Sequence, residues 1–220
     1  MSAKVALVIG STGLVGLSLT EQLLACNDYA EVRILGRSKP EIVHEKLQFI
    51  PAQLTAPGLP RSAFLNVNDI FCCIGTTTKK TPNKEEYVNI DREVPAKIAE
   101  IGKIFGVERF LVVSSIGASA TSKFFYLRVK GEMEEKVIES GIPVIEIFRP
   151  STLLGKRKEF RPAEYLSRLF DPVTRYFVPK KYRGIKATTV AHAMLIRALS
   201  PCEEGINVWE SDQIEDLIRY

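Results

Sequence analysis

The stretch VALVIGSTGLVG, residues 5–16, is the part of the sequence that decides the fold. It begins with an apolar run, Val5–Ile9, which is typical of a buried strand. Three glycines then follow at a spacing of three residues, and a helical pattern of apolar residues extends over Leu14–Cys26. A strand, a glycine-rich loop and a helix in this order are typical of a unit that binds a dinucleotide.

Each glycine of this loop has a physical role. Gly10 allows the sharp turn out of the strand, Gly13 lets the backbone approach a pyrophosphate, and Gly16 lets the helix pack closely on the sheet. The phosphates would then meet the free N–H groups and the positive end of the helix dipole. A purely structural glycine turn is the alternative, and the order of strand, loop and helix favours the dinucleotide site.

The rest of the chain repeats the alternation of short apolar runs with longer helical patterns. The predicted strands are Glu31–Leu35, Leu47–Ile50, Asp69–Ile74, Arg109–Ser114 and Val144–Phe148, with Gly205–Trp209 as a candidate last strand. The further predicted helices are Glu85–Phe105, Phe125–Ser140, Pro162–Phe170 and Thr189–Leu199. This alternation predicts an α/β fold, a doubly wound parallel sheet with helices on both faces. We expect one domain over residues 1–220, in which residues 151–204 form a small substrate-side appendage, because the alternation weakens there.

Length and composition agree with such a domain. The chain has 220 residues, of which 45% are hydrophobic and 25% charged, and this composition excludes a disordered or coiled-coil protein. The net charge of +4 is spread along the chain, so we expect no nucleic-acid partner. No apolar run reaches the roughly 18 residues of a membrane span.

The cysteine and histidine residues do not have the spacing of a metal site. The four cysteines lack metal-ligand spacing and indicate reduced thiols of a cytoplasmic protein. They are Cys26, Cys72, Cys73 and Cys202. His44 and His192 are isolated from each other and from the cysteines, so we expect no metal.

The end of the second predicted strand is the position that contacts the adenosine ribose in dinucleotide-binding folds. An NAD site usually has a carboxylate there, which accepts a hydrogen bond from the 2′-hydroxyl and would repel a 2′-phosphate. This chain has Arg37 and Ser38 instead. A guanidinium can pair with the 2′-phosphate, helped by the hydroxyl, so the sequence predicts NADP(H) in preference to NAD(H). The alternative is that Arg37 is a solvated charge at a strand end.

A Tyr-x-x-x-Lys pair, Tyr126 and Lys130, lies in the helical pattern that follows the fifth predicted strand. The spacing of four residues places both side chains on one helix face. Two other pairs with this spacing enclose Pro179 or Gly184 and are not typical of regular helices. A phenol has an ordinary pKa of about 10, and a nearby ammonium favours its phenolate form, so the pair can work as a general acid or base. The alternative is an exposed amphipathic helix.

Two serines end the fifth predicted strand, 11 and 12 residues before the tyrosine. A hydroxyl at this place, at the carboxyl end of a parallel strand, can hold a substrate carbonyl oxygen. We favour Ser115, which directly precedes Ile-Gly, over Ser114.

Together these residues resemble the short-chain dehydrogenase/reductase superfamily, in its atypical branch. The chain is most similar to the Tat-interactive-protein-like NADP(H)-binding oxidoreductases. The matching motifs are LGR at residues 35–37, FCCIGTT at 71–77, VSSIGA at 113–118, FYLRVKGE at 125–132, FRPSTLL at 148–154 and RPAE at 161–164. The resemblance extends over roughly residues 4–200.

The resemblance implies a Rossmann-type domain with NADP(H) bound across the carboxyl edge of the sheet. It implies a pyrophosphate contact with the loop residues Gly10, Ser11, Thr12, Gly13, Leu14 and Val15. It further implies that Gly75 and Thr76 lie along the adenosine side, and that Pro150 and Leu153 border the nicotinamide. Ser115, Tyr126 and Lys130 would be catalytic, and Tyr126 and Lys130 would also contact the cofactor, with Lys130 able to donate a hydrogen bond to the nicotinamide ribose. Asn89 could fill the role of an asparagine that holds a proton-relay water in some relatives, or it could lie on a solvated helix face.

Two functions remain open at this stage. The first is an NADP(H)-dependent oxidoreductase that acts on a small carbonyl or alcohol substrate, with Tyr126 as general acid and base. The second is an NADPH-binding sensor or regulator without turnover, because animal members of the resembling group are described as binding other proteins. A protein partner or a homodimer is compatible with either function. The intact set of serine, tyrosine and lysine favours the enzyme.

Overall fold

The computed structural model describes residues 3–77, 79–155, 179–201 and 204–219. Within these residues the strands are β1 (Lys4–Ile9), β2 (Tyr29–Gly36), β3 (Leu47–Pro51), β4 (Asp69–Cys72), β5 (Arg109–Val113), β6 (Val144–Arg149), β7 (Leu153–Leu154), β8 (Ile185–Lys186) and β9 (Gly205–Glu210). The helices are α1 (Leu14–Ala25), α2 (Lys84–Val88), α3 (Val94–Ile104), α4 (Phe125–Glu139), α5 (Ala187–Leu199) and α6 (Ser211–Leu217). Single 3₁₀ turns lie at Arg61–Phe64 and Lys180–Tyr182.

Seven strands form one parallel sheet in the order β3-β2-β1-β4-β5-β6-β9. The chain therefore runs outward from β1 to β3 and then crosses back to place β4 on the other side of β1. Such a reversal leaves a crevice outside the carboxyl ends of the two strands where it occurs. The predicted Rossmann-type, doubly wound α/β fold is confirmed.

Alternating side chains of the sheet feed two separate apolar cores, one on each face. In β1, Leu7 and Ile9 pack in the core that contains residues of α3 and α4, and Ala6 and Val8 pack in the core of α1 and α5. All four residues are fully buried. Burial on both faces explains why these strands are continuous apolar runs in the sequence rather than alternating ones.

Helix α1 lies close to the glycine loop because glycines stand at the two points of contact, Gly16 in the helix and Gly10 in the loop. A Cβ on Gly16 would overlap the carbonyl of Gly10. Gly10 has a positive φ of 83°, and a Cβ there would come within 2.7 Å of the Cys73 carbonyl group in the loop after β4. The loop is thus held between α1 on one side and the β4 loop on the other.

The predicted single helix over Glu85–Phe105 is divided by a wider turn. Helix α2 is followed by a π-helical turn, Asn89–Glu93, and then by α3. In this turn the N–H of Val94 donates to the carbonyl of Asn89, five residues earlier. Pro95 comes next and has no N–H to donate, so the regular ladder of hydrogen bonds cannot continue through this point.

Part of the expected appendage, residues 151–204, lies among the described residues. Residues 187–199 form α5, which packs its buried face against α1 and β1 in the main domain. Off the sheet lies the short parallel pair β7–β8. The predicted helix Pro162–Phe170, the RPAE motif and Cys202 lie outside the described residues.

A polar cluster is buried at the amino end of the sheet. The Asp69 carboxylate accepts hydrogen bonds from the Lys4 ammonium at 3.0 Å and from the Tyr29 hydroxyl at 2.6 Å. Lys4 also donates to the carbonyl of Ala198, and Arg109 donates to carbonyls at the end of α5. Burial raises the pKa of the Asp69 carboxyl above its ordinary value. The cluster fastens α5 to the sheet at the end opposite the crevice.

The close contact of α1 makes a stability prediction. Gly16→Ala should lower the free energy of unfolding by about 1–3 kcal/mol, because the added methyl overlaps backbone that has no room to move. Chemical denaturation measures this change. Gly58→Ala is the control, since a Cβ at Gly58 meets nothing within 4 Å. Equal stability of the two variants would contradict the close packing.

Candidate functional site

A cavity of about 510 Å³ lies in the crevice at the carboxyl ends of β1, β4, β5 and β6. Its volume is in the range of small-molecule and cofactor sites. Ten of the predicted site residues line it: Gly13, Leu14, Val15, Gly75, Thr76, Ser115, Tyr126, Lys130, Pro150 and Leu153. The structure therefore brings together segments that are far apart in the sequence.

The remaining predicted residues lie outside the lining of this cavity. Gly10, Ser11 and Thr12 form the turn that leads from β1 into it. Arg37 and Ser38 directly follow β2 and are both exposed to solvent. Because β2 is the neighbour of β1 in the sheet, they follow the strand end next to the glycine loop.

The N-terminus of α1 is suited to bind an anion. Gly13 is its N-cap residue with a φ of −78°, no side chain caps the helix, and the first turn contains no acidic residue. The first N–H groups of a helix have no partner within it and carry the positive end of its dipole. A Cβ on Gly13 would lie 3.3 Å from the Gly10 carbonyl oxygen, so the bare cradle at the cavity wall fits the pyrophosphate of a dinucleotide.

A buried ion pair forms part of the cavity floor. The ammonium of Lys130 lies 2.9 Å from Oδ1 of Asp91, and their side chains are 5% and 1% exposed. Burial by itself would lower the pKa of Lys130, but the Asp91 carboxylate and the Tyr126 hydroxyl nearby raise it, and the pKa ends above its ordinary value. Lys130 therefore carries its positive charge throughout the neutral range.

Tyr126 is an exposed member of the site, with 40% of its surface accessible. It lies one helical turn before Lys130 and lines the cavity with it. A second tyrosine, Tyr87 of α2, also lines the cavity and is almost fully buried. Burial, followed by the nearby Asp91 and Tyr126, raises the pKa of the Tyr87 phenol, so that Tyr87 stays protonated.

The two candidate serines differ in what they contact. The hydroxyl of Ser114 is buried and donates to Glu134, which also forms an ion pair with Arg149. The hydroxyl of Ser115 has only a long contact of 3.4 Å with the carbonyl of Ile116 and stands half-buried at the cavity. Ser114 is thus engaged in a structural network, and Ser115 is available to a bound molecule.

Sequence reasoning missed Asp91 and Tyr87 as site residues. We considered Asn89 for a relay, and the structure instead places the Asp91 carboxylate on Lys130. The signal was present: Tyr87, Asp91, Val94 and Ile98 follow a helical spacing, and all four are buried. An acid on the buried face of a helix needs a partner of opposite charge or a hydrogen-bond donor.

Neither a membrane-spanning helix nor a cluster of metal ligands occurs among the residues that the structure describes. No helix in these ranges is long and apolar enough to cross a membrane. No three side chains of His, Cys, Asp or Glu are grouped as metal ligands among these residues. Cys26, Cys72 and Cys73 are free thiols, and burial raises the pKa of Cys72 to about 12.

Comparison with known proteins agrees with the geometry of the site. Residues 10–168 match the family model described as NAD(P)H-binding. Protein HTATIP2 of Rattus norvegicus is 33% identical over 225 residues, which cover 99% of this chain and 90% of that protein. Protein FMP52-1, mitochondrial, of Scheffersomyces stipitis is 34% identical, with 97% of this chain and 98% of that protein covered.

Solved structures share the fold at lower identity. MoeE5 in complex with UDP-glucose and NAD superimposes with a TM-score of 0.70 at 18% identity, over 95% of this chain and 79% of that chain. The Bordetella bronchiseptica enzyme WbmG in complex with NAD has a TM-score of 0.71 at 16% identity, over 95% of this chain and 73% of that chain. At these identities the likeness is one of fold.

The parallel sheet, the uncapped α1 and the cavity at the strand ends define the class of Rossmann-type nucleotide-binding proteins. Within that class the chain belongs to the NAD(P)H-binding family, as an atypical short-chain dehydrogenase/reductase of the HTATIP2 type.

The expectation of a cytoplasmic protein is corrected by the same comparison. The FMP52 relatives from Scheffersomyces stipitis, Debaryomyces hansenii and Meyerozyma guilliermondii are named mitochondrial. Free cysteines indicate a reducing environment, but they do not distinguish one reducing compartment from another, so the inference from cysteines to the cytoplasm was wrong.

The cradle at Gly13 makes a binding prediction. Gly13→Val should remove NADPH binding while the protein stays folded, because the φ of −78° is compatible with a side chain and we expect that side chain to occupy the place of the pyrophosphate. Thermal melting with and without NADPH measures both properties, since a ligand of the folded state raises the melting temperature. Gly58→Val, in open surroundings, is the control. A normal NADPH-induced rise in the Gly13→Val protein would refute the assignment of the loop.

Proposed function

We propose that this protein is an NADP(H)-dependent oxidoreductase that interconverts a small carbonyl compound and its alcohol. The observation that carries the proposal is the meeting of Ser115, Tyr126 and Lys130 with the nucleotide cradle in one cavity. A hydroxyl, a phenol and an ammonium in one dinucleotide site are the groups needed to hold and protonate a carbonyl oxygen.

The nucleotide, when bound, supplies or removes a hydride at the substrate carbon. In the reductive direction Ser115 donates a hydrogen bond to the carbonyl oxygen, and Tyr126 transfers its phenolic proton to the same oxygen as the alcohol forms. Lys130 keeps its positive charge beside Tyr126 and so stabilises the phenolate that is left. In the oxidative direction the phenolate takes the proton back.

The open position of Tyr126 supports turnover over a purely regulatory role. Its side chain is 40% exposed and lines the cavity, so a substrate can reach the hydroxyl. Among the residues that the structure describes, the Ser115 hydroxyl has one hydrogen-bond contact, at 3.4 Å to the carbonyl of Ile116, which leaves it available to a substrate. Ser151, Thr152 and Leu153 also line the cavity, and we propose that these three residues bound the substrate.

We propose a preference for NADP(H), which rests on Arg37 and Ser38 at the end of β2. Both are exposed, and neither position offers a carboxylate to a ribose hydroxyl. Arg37→Ala should weaken NADPH binding about 10- to 100-fold, the range of a charge-assisted hydrogen bond, and should leave NADH binding nearly unchanged. Calorimetric titration of both nucleotides measures this. Arg219→Ala, at an exposed arginine after α6, is the control, and equal affinities of the unmodified protein for the two nucleotides would contradict the preference.

The role of Tyr126 makes a kinetic prediction. Tyr126→Phe removes the proton donor and keeps the ring, so NADPH affinity should change little while turnover falls about 10²- to 10⁴-fold. The assay follows NADPH consumption on a panel of aldehydes and ketones.

The two serines provide a matched comparison for the same assay. Ser115→Ala should lower turnover without loss of stability, and Ser114→Ala should lower stability because the buried Glu134 loses one of the hydrogen bonds that it accepts and keeps only those from Arg149. Unchanged turnover in Tyr126→Phe, or no turnover on any carbonyl tried while NADPH binds tightly, would contradict the proposed activity.

A further inference from the structure

The ion pair beneath the cavity involves an acid to which the proposed reaction gives no role. Asp91 and Lys130 are both withdrawn from water, and their charged atoms lie 2.9 Å apart. Transfer of a charge into the interior is costly, and a buried lysine without a partner tends to lose its proton. The carboxylate of Asp91 therefore decides whether Lys130 is an ammonium.

The second oxygen of Asp91 contacts the nucleotide side of the cavity. Oδ2 accepts a hydrogen bond of 2.8 Å from the backbone N–H of Thr76, in the loop after β4. A Cβ on the preceding Gly75 would lie 3.5 Å from Asp91 and 3.7 Å from the Lys130 ammonium. The ion pair thus lies directly under a backbone segment that has no side chain to cover it.

The position of Asp91 in the helix explains how it reaches two partners. It lies in the π turn Asn89–Glu93, the widened turn that precedes Pro95. Such turns are rare in proteins, and those that occur are frequently found at functional sites. Here the turn carries the acid that contacts both the lysine of α4 and the loop after β4.

Few titratable groups face this pair. Three groups face Lys130: Asp91 on the π turn, Tyr126 on the same helix as Lys130, and Cys72 on β4. Tyr87 of α2 faces Asp91 and Tyr126. Burial keeps both Cys72 and Tyr87 protonated and neutral. Asp91 is the carboxylate that balances the lysine in this group.

We propose that Asp91 is the positioning residue of the site: one carboxylate oxygen holds the Lys130 ammonium and the other holds the Thr76 loop. The Tyr126–Lys130 pair is thereby joined to the segment along which the nucleotide binds. This inference rests on the proposed function for the role of Lys130 in catalysis, but the ion pair itself can be tested without a substrate.

The first test uses the ligand-free protein. Asp91→Asn keeps the size and one acceptor oxygen but removes the charge, so burial should then lower the pKa of Lys130. The folded variant would bind fewer protons than its unfolded chain, and its free energy of unfolding should rise as pH increases toward about 10.5, the ordinary range of lysine. In the unmodified protein the Lys130 pKa is raised, so its contribution is constant below that range and is lost only above it.

The matched control is the other buried acid that pairs with a lysine. Asp69→Asn removes a carboxylate that is 1% exposed, but its partner Lys4 is 27% exposed and remains hydrated. This variant should lose stability without a comparable rise at alkaline pH. Denaturation curves between pH 6 and 10 are compared for the three proteins. The same pH dependence in Asp91→Asn and the unmodified protein would overturn the proposal.

The second test measures the nucleotide. In Asp91→Asn, NADPH affinity should fall as pH rises, by about 10- to 100-fold once Lys130 is neutral, since a charge-assisted hydrogen bond is lost. The unmodified protein and Asp69→Asn should bind NADPH equally at each pH. Asp91→Glu should restore part of the affinity. An NADPH affinity of Asp91→Asn that does not depend on pH would count against the proposal.

A double variant covers the case in which Asp91→Asn folds poorly. Asp91→Asn with Lys130→Met contains no unpaired buried charge, so it should be more stable at pH 7 than Asp91→Asn alone. A double variant that is no more stable would overturn the proposal. Failure of the proposed enzyme activity is a separate result, because unchanged turnover in Tyr126→Phe leaves these pH dependences unaffected.

Discussion

The contact between α1 and the loop Gly10–Gly13 is the constraint on which the rest of the structure depends. The helix can rest on the Gly10 carbonyl only because Gly16 has no side chain, and the loop can rest on Cys73 only because Gly10 has none. These two contacts determine how far α1 stands from β1 and how far β1 stands from the loop after β4. The N-terminus of α1, which no side chain caps, lines the cavity in the crevice that the reversal of strand order creates.

Buried charges at the two ends of the sheet serve different purposes. At the amino end, Lys4 and Asp69 contact each other, Tyr29 and the end of α5, and the cluster fastens a helix to the sheet. At the carboxyl end, Lys130 and Asp91 lie below Gly75 and face the cavity. A buried ion pair is weak evidence for a gain in stability over an apolar pair. The pair at the cavity floor lies where its ammonium can meet a bound molecule, as the proposed role of Lys130 requires.

The neighbouring serines illustrate how an adjacent position can have an unrelated role. The N–H of Ser114 continues the β5–β6 ladder to Phe148, and its hydroxyl turns to Glu134 in the helical layer. Both serines line the cavity, but the Ser114 hydroxyl is bonded to Glu134, whereas the Ser115 hydroxyl has a long contact with the Ile116 carbonyl. The Glu134–Arg149 ion pair supports the strand end that holds them.

The sequence by itself determined the features that depend on local order. The apolar run Val5–Ile9, the glycine spacing and the alternation of elements were enough to predict the parallel sheet, and the Tyr126–Lys130 spacing was enough to place both residues on one helix. Tertiary structure alone decided which distant groups meet. The π turn before Pro95 places the Asp91 carboxylate against the Lys130 ammonium. The two residues are 39 positions apart in the chain, so no helical or strand periodicity predicts their contact. Tertiary structure also decided that residues 187–199 belong to the helical layer. Their apolar face is buried against α1, and this burial depends on how the two helices pack rather than on the sequence of either helix.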